Sequence, residues 1–253
     1  MIEDTNGSVV SGALCFGKLE ARKDAVAATI KGAEGSQTEL FDRVLVAVGR
    51  KPNSEQLGLD QTKVALSDKG FIQVDRQLRT AEPTIFAIGD VVGEPMLAHK
   101  ASHEGIVAAR VIAGRQAEFD AVIPAVIFTD PEIAWCGLTE EAAKASTQEV
   151  TVMRFPWAAS GRATTVGRND GLTKLILDKE SGRVLSMGVC GVGAGELIAE
   201  GVLAIEMGAV AEDLAASIHP HPTLSETVME SAEQFLGQAT HVYQQKRPAS
   251  PSA

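Results

Sequence analysis

Cysteine is scarce in these 253 residues, with three in all: Cys15, Cys136 and Cys190. They are too few and too scattered for a disulfide framework or a zinc site, and each reads first as a small buried apolar side chain. No C-x-x-C or C-x-x-x-x-C pair occurs, so the chain carries no dithiol redox motif of its own. Long apolar runs are lacking too. None approaches the roughly 18 to 20 residues that cross a bilayer, which argues against a membrane partner. The opening Met1-Ile2-Glu3-Asp4-Thr5-Asn6-Gly7 has neither a basic nor an apolar leader pattern, and the expectation is a cytoplasmic protein. Positive charge is in deficit. A formal net charge of −10 argues against nucleic acid, whose phosphates call for a basic face. What remains is an ordinary globular composition, 45% hydrophobic and 22% charged, in a chain long enough for two modest domains.

The first fifty residues read as β-rich. A polar, glycine-containing stretch from Lys31 to Thr38 leads into the apolar run Phe41–Val48, which suits a parallel strand buried on both faces and closed by Gly49. Gly49-Arg50-Lys51-Pro52-Asn53 breaks that pattern. A short strand is expected at Phe71–Val74 and another buried run at Thr84–Ile88. A helix follows from about Ala98 to Ala113, in which Ala98, Ala101, Gly105, Ala108 and Ile112 form a face of mostly small side chains and Gly114 is the stop. From Val122 the character changes. Short strands are expected at Val122–Phe128, Ile133–Cys136, Val150–Phe155, Leu172–Leu177 and Val184–Cys190, with turn signals at Asp130-Pro131, Asn169-Asp170-Gly171 and Ser181-Gly182. Helices are expected at Thr139–Ala145, Gly195–Met207 and from Thr223 to about Leu236. This reads as a separate α+β domain with an antiparallel sheet. The tail from Gln244 to Ala253 has the composition of a disordered segment.

Gly191-Val192-Gly193-Ala194-Gly195-Glu196 sits where a dinucleotide fingerprint would sit, but G-x-G-x-x-G needs glycine where Glu196 stands, and a carboxylate there repels a pyrophosphate. A tight strand-to-helix turn explains its glycines. Ala87-Ile88-Gly89-Asp90 is more informative, because an Asp at the carboxyl end of a buried strand can accept hydrogen bonds from sugar hydroxyls. Alone it could equally cap a turn or a helix. Met96-Leu97-Ala98-His99 opens the small-faced helix six residues later, and a helix N-terminus offers free N–H groups and positive dipole to an anionic ligand. In His219-Pro220-His221-Pro222-Thr223-Leu224-Ser225-Glu226 two His-Pro steps hold the backbone extended, which suits a positioned base. Glu226, one turn into the next helix, can fold back onto an imidazole nitrogen and fix its tautomer. Thr223-x-x-Glu226 is also a capping box, which would leave the two histidines unexplained.

These blocks together resemble the pyridine-nucleotide disulfide oxidoreductases, and His-x-His-Pro-Thr-Leu-Ser-Glu resembles their lipoamide dehydrogenase branch. The resemblance covers essentially everything downstream of Asp90. Residues 1 to about 35 show little of it. It implies an α/β remnant of the FAD- and NAD(P)-binding domains followed by an α+β dimerisation domain with an antiparallel sheet. Residues 1–52 would end the NAD-binding domain, 53–120 would be the returning part of the FAD-binding domain, and 121–243 the interface domain. It implies an FAD site at Gly89 and Asp90 (ribityl chain) and at Met96, Leu97, Ala98 and the backbone of His99, where the helix start faces the flavin. Gly49 would approach NAD, or serve as a chain-reversing turn. His221 would be the acid/base and Glu226 its partner, with His219 structural. No metal is implied. The activity implied is oxidation of dihydrolipoamide by NAD⁺ in a homodimer associated with 2-oxo acid dehydrogenase complexes. The flavin G-x-G-x-x-G, the redox C-x-x-x-x-C and the second G-x-G-x-x-G of the family do not occur here. The expectation is therefore a C-terminal portion, inactive alone. The alternatives are a non-catalytic dimerisation module and a piece of another disulfide reductase of the superfamily.

Overall fold

The computed structural model describes residues 15–32, 35–45 and 49–242. The chain divides into two compact units, Met1–Asn53 and Ser54–Ala253. In the first unit, β1 (Cys15–Ala21), β2 (Val26–Gly32) and β3 (Gly35–Phe41) form an antiparallel sheet in the order β1-β2-β3. Ala28, Ile30 and Phe41 are buried together, and Val44 packs against them. On the opposite face Thr29 and Thr38 share a hydroxyl hydrogen bond of 3.2 Å, the period-2 alternation of a half-buried strand.

Over the described part of the run, residues 41–45, the buried parallel strand expected at Phe41–Val48 does not form. Phe41 closes β3 opposite Val26, residues 42–45 pair with no strand, and Leu45 is 86% exposed. Residues 46–48 lie outside the described residues, as does the tail from Gln244. The polar stretch before the run is itself strand, since Lys31 pairs with Ser36 and Gly32 with Gly35. An apolar run states that it wants covering but not by what. Here the hairpin pairing of the preceding residues takes Phe41 first.

In the second unit, residues 54–97 are largely irregular. The strands expected at Phe71–Val74 and Thr84–Ile88 reduce to isolated antiparallel bridges, Leu66–Ile72 and Arg79–Phe86. Ile88 is 40% exposed. A parallel strand needs a parallel neighbour in register, whereas this run pairs antiparallel with residues 78–80 through Thr80 N–H to Ile85 O and Ala87 N–H to Leu78 O. Helix α1 (Ala98–Ile112) forms as expected, with Gly114 at φ 75° just past its end. Its buried face is different: Lys100, Glu104, Val107, Ala108 and Val111 point inward, while Ala98 is exposed and Ile112 is 66% exposed. Part of the small face does its expected work, because Ala101 and Gly105 lie against Gly89 and Ile88.

The rest is one antiparallel sheet, ordered β4-β5-β8-β7-β6. Its strands are β4 (Ala125–Ile127), β5 (Ile133–Gly137), β6 (Val150–Pro156), β7 (Leu172–Asp178) and β8 (Val184–Cys190). Alternation decides which way each strand faces: in β5, Ala134 and Cys136 are buried while Ile133, Trp135 and Gly137 are exposed. Helices α4 (Ala194–Glu206) and α6 (Glu226–Leu236) cover the buried face, α4 on β5 and β8, α6 on β6 and β7. Leu175, Leu177, Met187, Val189, Ile198, Val228 and Ala232 fill the space between. Helix α2 (Glu140–Ala145) starts one residue later than expected, because Thr139 is its cap, the side chain accepting from the Ala142 N–H. The short helices α3 (Gly161–Thr165) and α5 (Ala211–Ala216) were not expected.

Candidate active site

Helix α6 begins at Glu226, three residues later than its pattern suggested, and the residues before it form the turn that carries His221. His221 Nδ1 lies 2.9 Å from Glu226 Oε1. The other carboxylate oxygen, Oε2, accepts from the Thr223 N–H at 2.7 Å. The two readings of Glu226 are thus both partly realised. Its carboxylate holds the imidazole and also makes half of a capping box, while the Thr223 hydroxyl turns away to Pro220 O at 2.7 Å. Burial pushes the Glu226 carboxyl upward, but the Thr223 N–H and the His221 imidazole outweigh it and hold the group below the usual carboxylate range. The His221 side chain is 76% exposed and Glu226 only 21%. With Nδ1 occupied from below, Nε2 is the nitrogen available to an incoming group.

His219 behaves differently. Its Nδ1 is 2.8 Å from Ser217 O and its Nε2 is 2.8 Å from Glu200 Oε1 on α4, so both nitrogens are tied and the side chain is 8% exposed. It fastens the turn to the next helix. His221 and Glu226 open on a cleft of about 320 Å³ that also takes in Phe155, Ser160 and Thr164. Two further residues of that cleft escaped the sequence reading, Glu230 and His241, which form a second hydrogen-bonded His–Glu pair. Glu230 follows Glu226 at i+4 on α6, a signal that was legible. His241 is brought back by the left-handed turn at Gly237, which no helix pattern reveals.

The Asp90 region is organised around Gly89. That residue opens a single 3₁₀ turn, Gly89–Val91, at φ +79°, and a Cβ there would sit 3.1 Å from the Ala101 Cβ, so only glycine serves. Its N–H donates to Glu104 Oε2 at 2.6 Å, and its carbonyl accepts from Lys100 Nζ at 3.2 Å. Lys100 also reaches Gly93 O at 3.2 Å and pairs with Glu104 at 3.0 Å, both side chains being at most 5% exposed. Sequence reading passed over these two, although Lys-x-x-x-Glu places them one turn apart on one face. Asp90 itself is exposed on the turn they hold. Met96 and Leu97 are half-buried just before α1, whose N-cap Leu97 has no side-chain oxygen and whose first turn carries no acid. Ala98 is exposed, and His99 spends its ring on structure, Nε2 lying 2.7 Å from Pro124 O. Gly49 belongs to the other unit, at φ +142° and with open space around its Cα.

At the glycine-rich turn before α4 the protein supplies its own anion, since the Gly195 N–H donates to Glu132 Oε2 at 2.9 Å. Cys136 is fully buried, and burial pushes its thiol up to about 11. Cys190 is half-buried. No helix among the described residues is long and apolar enough to cross a membrane.

The chain is similar to known proteins in sequence and in fold. Residues 123–232 match the dimerisation domain of the pyridine nucleotide-disulphide oxidoreductases, and residues 17–105 match a second domain of the same family, beginning well before the motifs do. The dihydrolipoyl dehydrogenase of Vibrio cholerae is 50% identical over 224 residues, 88% of this chain and 47% of that protein. The dihydrolipoyl dehydrogenase of Geobacillus stearothermophilus is 48% identical over 235 residues, 92% of this chain and 50% of that one. Among solved structures, LpdA from Mycobacterium tuberculosis superposes with a TM-score of 0.79 at 26% identity, over 87% of this chain and 48% of its own. The HOCl-induced flavoprotein disulfide reductase RclA from Escherichia coli gives 0.76 at 24%, over 87% and 50%, a likeness of fold alone. The chain spans about half the length of the curated relatives it matches.

Proposed function

The chain belongs to the pyridine nucleotide-disulphide oxidoreductase family, and from that premise we propose that it is the C-terminal portion of an FAD-dependent dihydrolipoamide:NAD⁺ oxidoreductase that supplies the acid/base of the reaction. The observation that carries this reading is the 2.9 Å contact of Glu226 with His221 Nδ1, on a ring otherwise open at a cleft. A free thiol has a pKa of about 8.5, so near neutral pH it needs a base to become a nucleophilic thiolate. His221 Nε2 takes that proton. Glu226 fixes the tautomer and offsets the charge that the ring acquires.

Residues 1–52 then close the NAD-binding domain, 53–120 complete the FAD-binding domain, and 121–243 form the interface domain. The residues present fit a bound flavin: a glycine turn too tight for a side chain, an exposed carboxylate on it, and a helix start without an acid or a side-chain cap. Gly89, Asp90, Met96, Leu97, Ala98 and the His99 backbone hold FAD, and Gly49 approaches NAD. Held there, FAD would supply the two-electron redox chemistry that links oxidation of the thiol pair to reduction of NAD⁺. The interface domain supports a homodimer: Leu203, Met207 and Ile218 are 63%, 76% and 98% exposed in the single chain, apolar surface that a partner copy would cover. A cytoplasmic setting and association with 2-oxo acid dehydrogenase complexes complete the proposal.

The test is His221→Gln in the protein completed by the family's N-terminal domains. Gln keeps much of the hydrogen-bonding shape but removes the base, so dihydrolipoamide turnover should fall roughly 10²- to 10⁴-fold. Reduction of an artificial dye by NADH needs no thiol deprotonation and should survive. Near-normal dihydrolipoamide turnover would sink the assignment.

A further inference from the structure

The turn that holds His221 and Glu226 is joined to the sheet by a chain of buried hydrogen bonds. Trp157 Nε1 lies 2.9 Å from Thr173 Oγ1 on β7. Thr173 Oγ1 lies 2.7 Å from Thr227 Oγ1 on α6, a contact between residues 54 apart in sequence. Thr227 Oγ1 donates in turn to Leu224 O at 2.6 Å, between His221 and Glu226 in the chain. Trp157 and Thr173 are 0% exposed and Thr227 is 1%. Chemistry settles every direction in this row. An indole N–H can only donate and a carbonyl can only accept, so Thr173 donates to Thr227 and Thr227 to Leu224. Bonds aligned head to tail in a dry interior polarise one another, and each hydroxyl would be costly to leave unpaired.

The donor end is fixed with equal care. A Cβ on Gly171 would stand 2.1 Å from the Trp157 ring, and one on Gly191 2.2 Å. The indole lies directly on two backbones, which leaves its N–H no alternative direction. A Thr hydroxyl bonded three residues back is a common local habit of helices. The link to Thr173 is not local, and it is what ties α6 and its preceding turn to the sheet.

We propose that Trp157, Thr173 and Thr227 are positioning residues that hold the Leu224 carbonyl, and through it the His221–Glu226 turn, at a set distance from the sheet. The inference rests on the proposed function only for its consequence, that the acid/base is pre-organised. The positioning itself is open to measurement in this chain without turnover.

Thr173→Val keeps the volume and removes the hydroxyl, and Thr173→Ser restores the hydroxyl. Amide hydrogen exchange and carboxyl titration by NMR on the 253-residue chain read the outcome. In Thr173→Val the Thr223 amide, now bonded to Glu226, should exchange about tenfold faster than any change at the strand amides of Leu175 and Met187 explains. The Glu226 carboxyl should move up towards its ordinary value. Thr173→Ser should return both. A folded Thr173→Val whose Thr223 amide and Glu226 titration match the wild type overturns the proposal, as does failure of Thr173→Ser to restore them. Should Thr173→Val not fold, Thr227→Ala and Trp157→Phe cut the same row of bonds at its other joints. The same two measurements then decide, and wild-type values in both folded variants overturn the proposal. Failure here leaves the acid/base reading standing, whereas unaltered turnover in His221→Gln removes that reading and leaves the positioning intact.

Discussion

Glu226 holds an imidazole with one oxygen and a backbone N–H with the other, whereas Glu230, one turn on, is bound to His241 through a single oxygen. Pairing with Glu230 raises the proton affinity of His241 above that of a free histidine. A raised folded-state pKa means the folded chain binds the proton more tightly than the unfolded one. The resulting stability is complete below about pH 6.5, the unfolded value, and is lost as pH rises through the folded value. The His241 side chain is 59% exposed, so solvent screening keeps the effect small. In urea unfolding, wild type should therefore exceed His241→Asn by more at pH 5.5 than at pH 8.5. An equal gap at both would contradict the sign. His221 and Glu226 were both legible in the sequence because their spacing is local, five residues across one turn. The Glu230–His241 pair spans a helix end and a reversal, and local spacing cannot express it.

At the scale of elements, α1 shows how a helix can be foreseen and its buried face misjudged. The small residues were read as a face able to lie close to a sheet or a ligand. Ala101 and Gly105 do lie against Gly89 and Ile88, but they are not the most buried part of the helix. The structure instead buries the Lys100–Glu104 pair and uses it to grip the amide and the carbonyl of Gly89. Desolvating two charges is costly, and the cost is offset only while each has its partners. Lys100→Met should leave Glu104 buried without its cation and lower stability by about 3 to 5 kcal/mol. Glu104→Gln keeps an acceptor for the Gly89 N–H but leaves Lys100 without a counter-charge. Urea unfolding of the variants measures both. A cost below about 1 kcal/mol for Lys100→Met would mean the pair is solvated and the grip on Gly89 unimportant.

On the scale of the whole molecule, the chain corresponds to about half of its curated relatives, and its three cysteines include no C-x-x-x-x-C. The purified chain should show no NAD⁺-dependent oxidation of dihydrolipoamide, and measurable turnover would refute this. It should also retain FAD weakly or not at all, because the glycine fingerprint that cradles a pyrophosphate does not occur in it. Stoichiometric yellow flavin carried through gel filtration is the contrary result.

The sequence by itself determined the elements whose signals are local and repeated: the strands of the five-stranded sheet, α1, α4 and α6, the strand-to-helix turn at Gly191, and the His-Pro block with its glutamate. Each is set by a period or a spacing of a few residues. Only the tertiary structure decided what the apolar runs at Phe41 and Thr84 became, because a strand exists only through its neighbours. Only the tertiary structure brought Trp157 and Thr173 under Thr227, or His241 beside Glu230. Those contacts join residues far apart in the chain, and their direction follows from burial and the need to satisfy every buried donor.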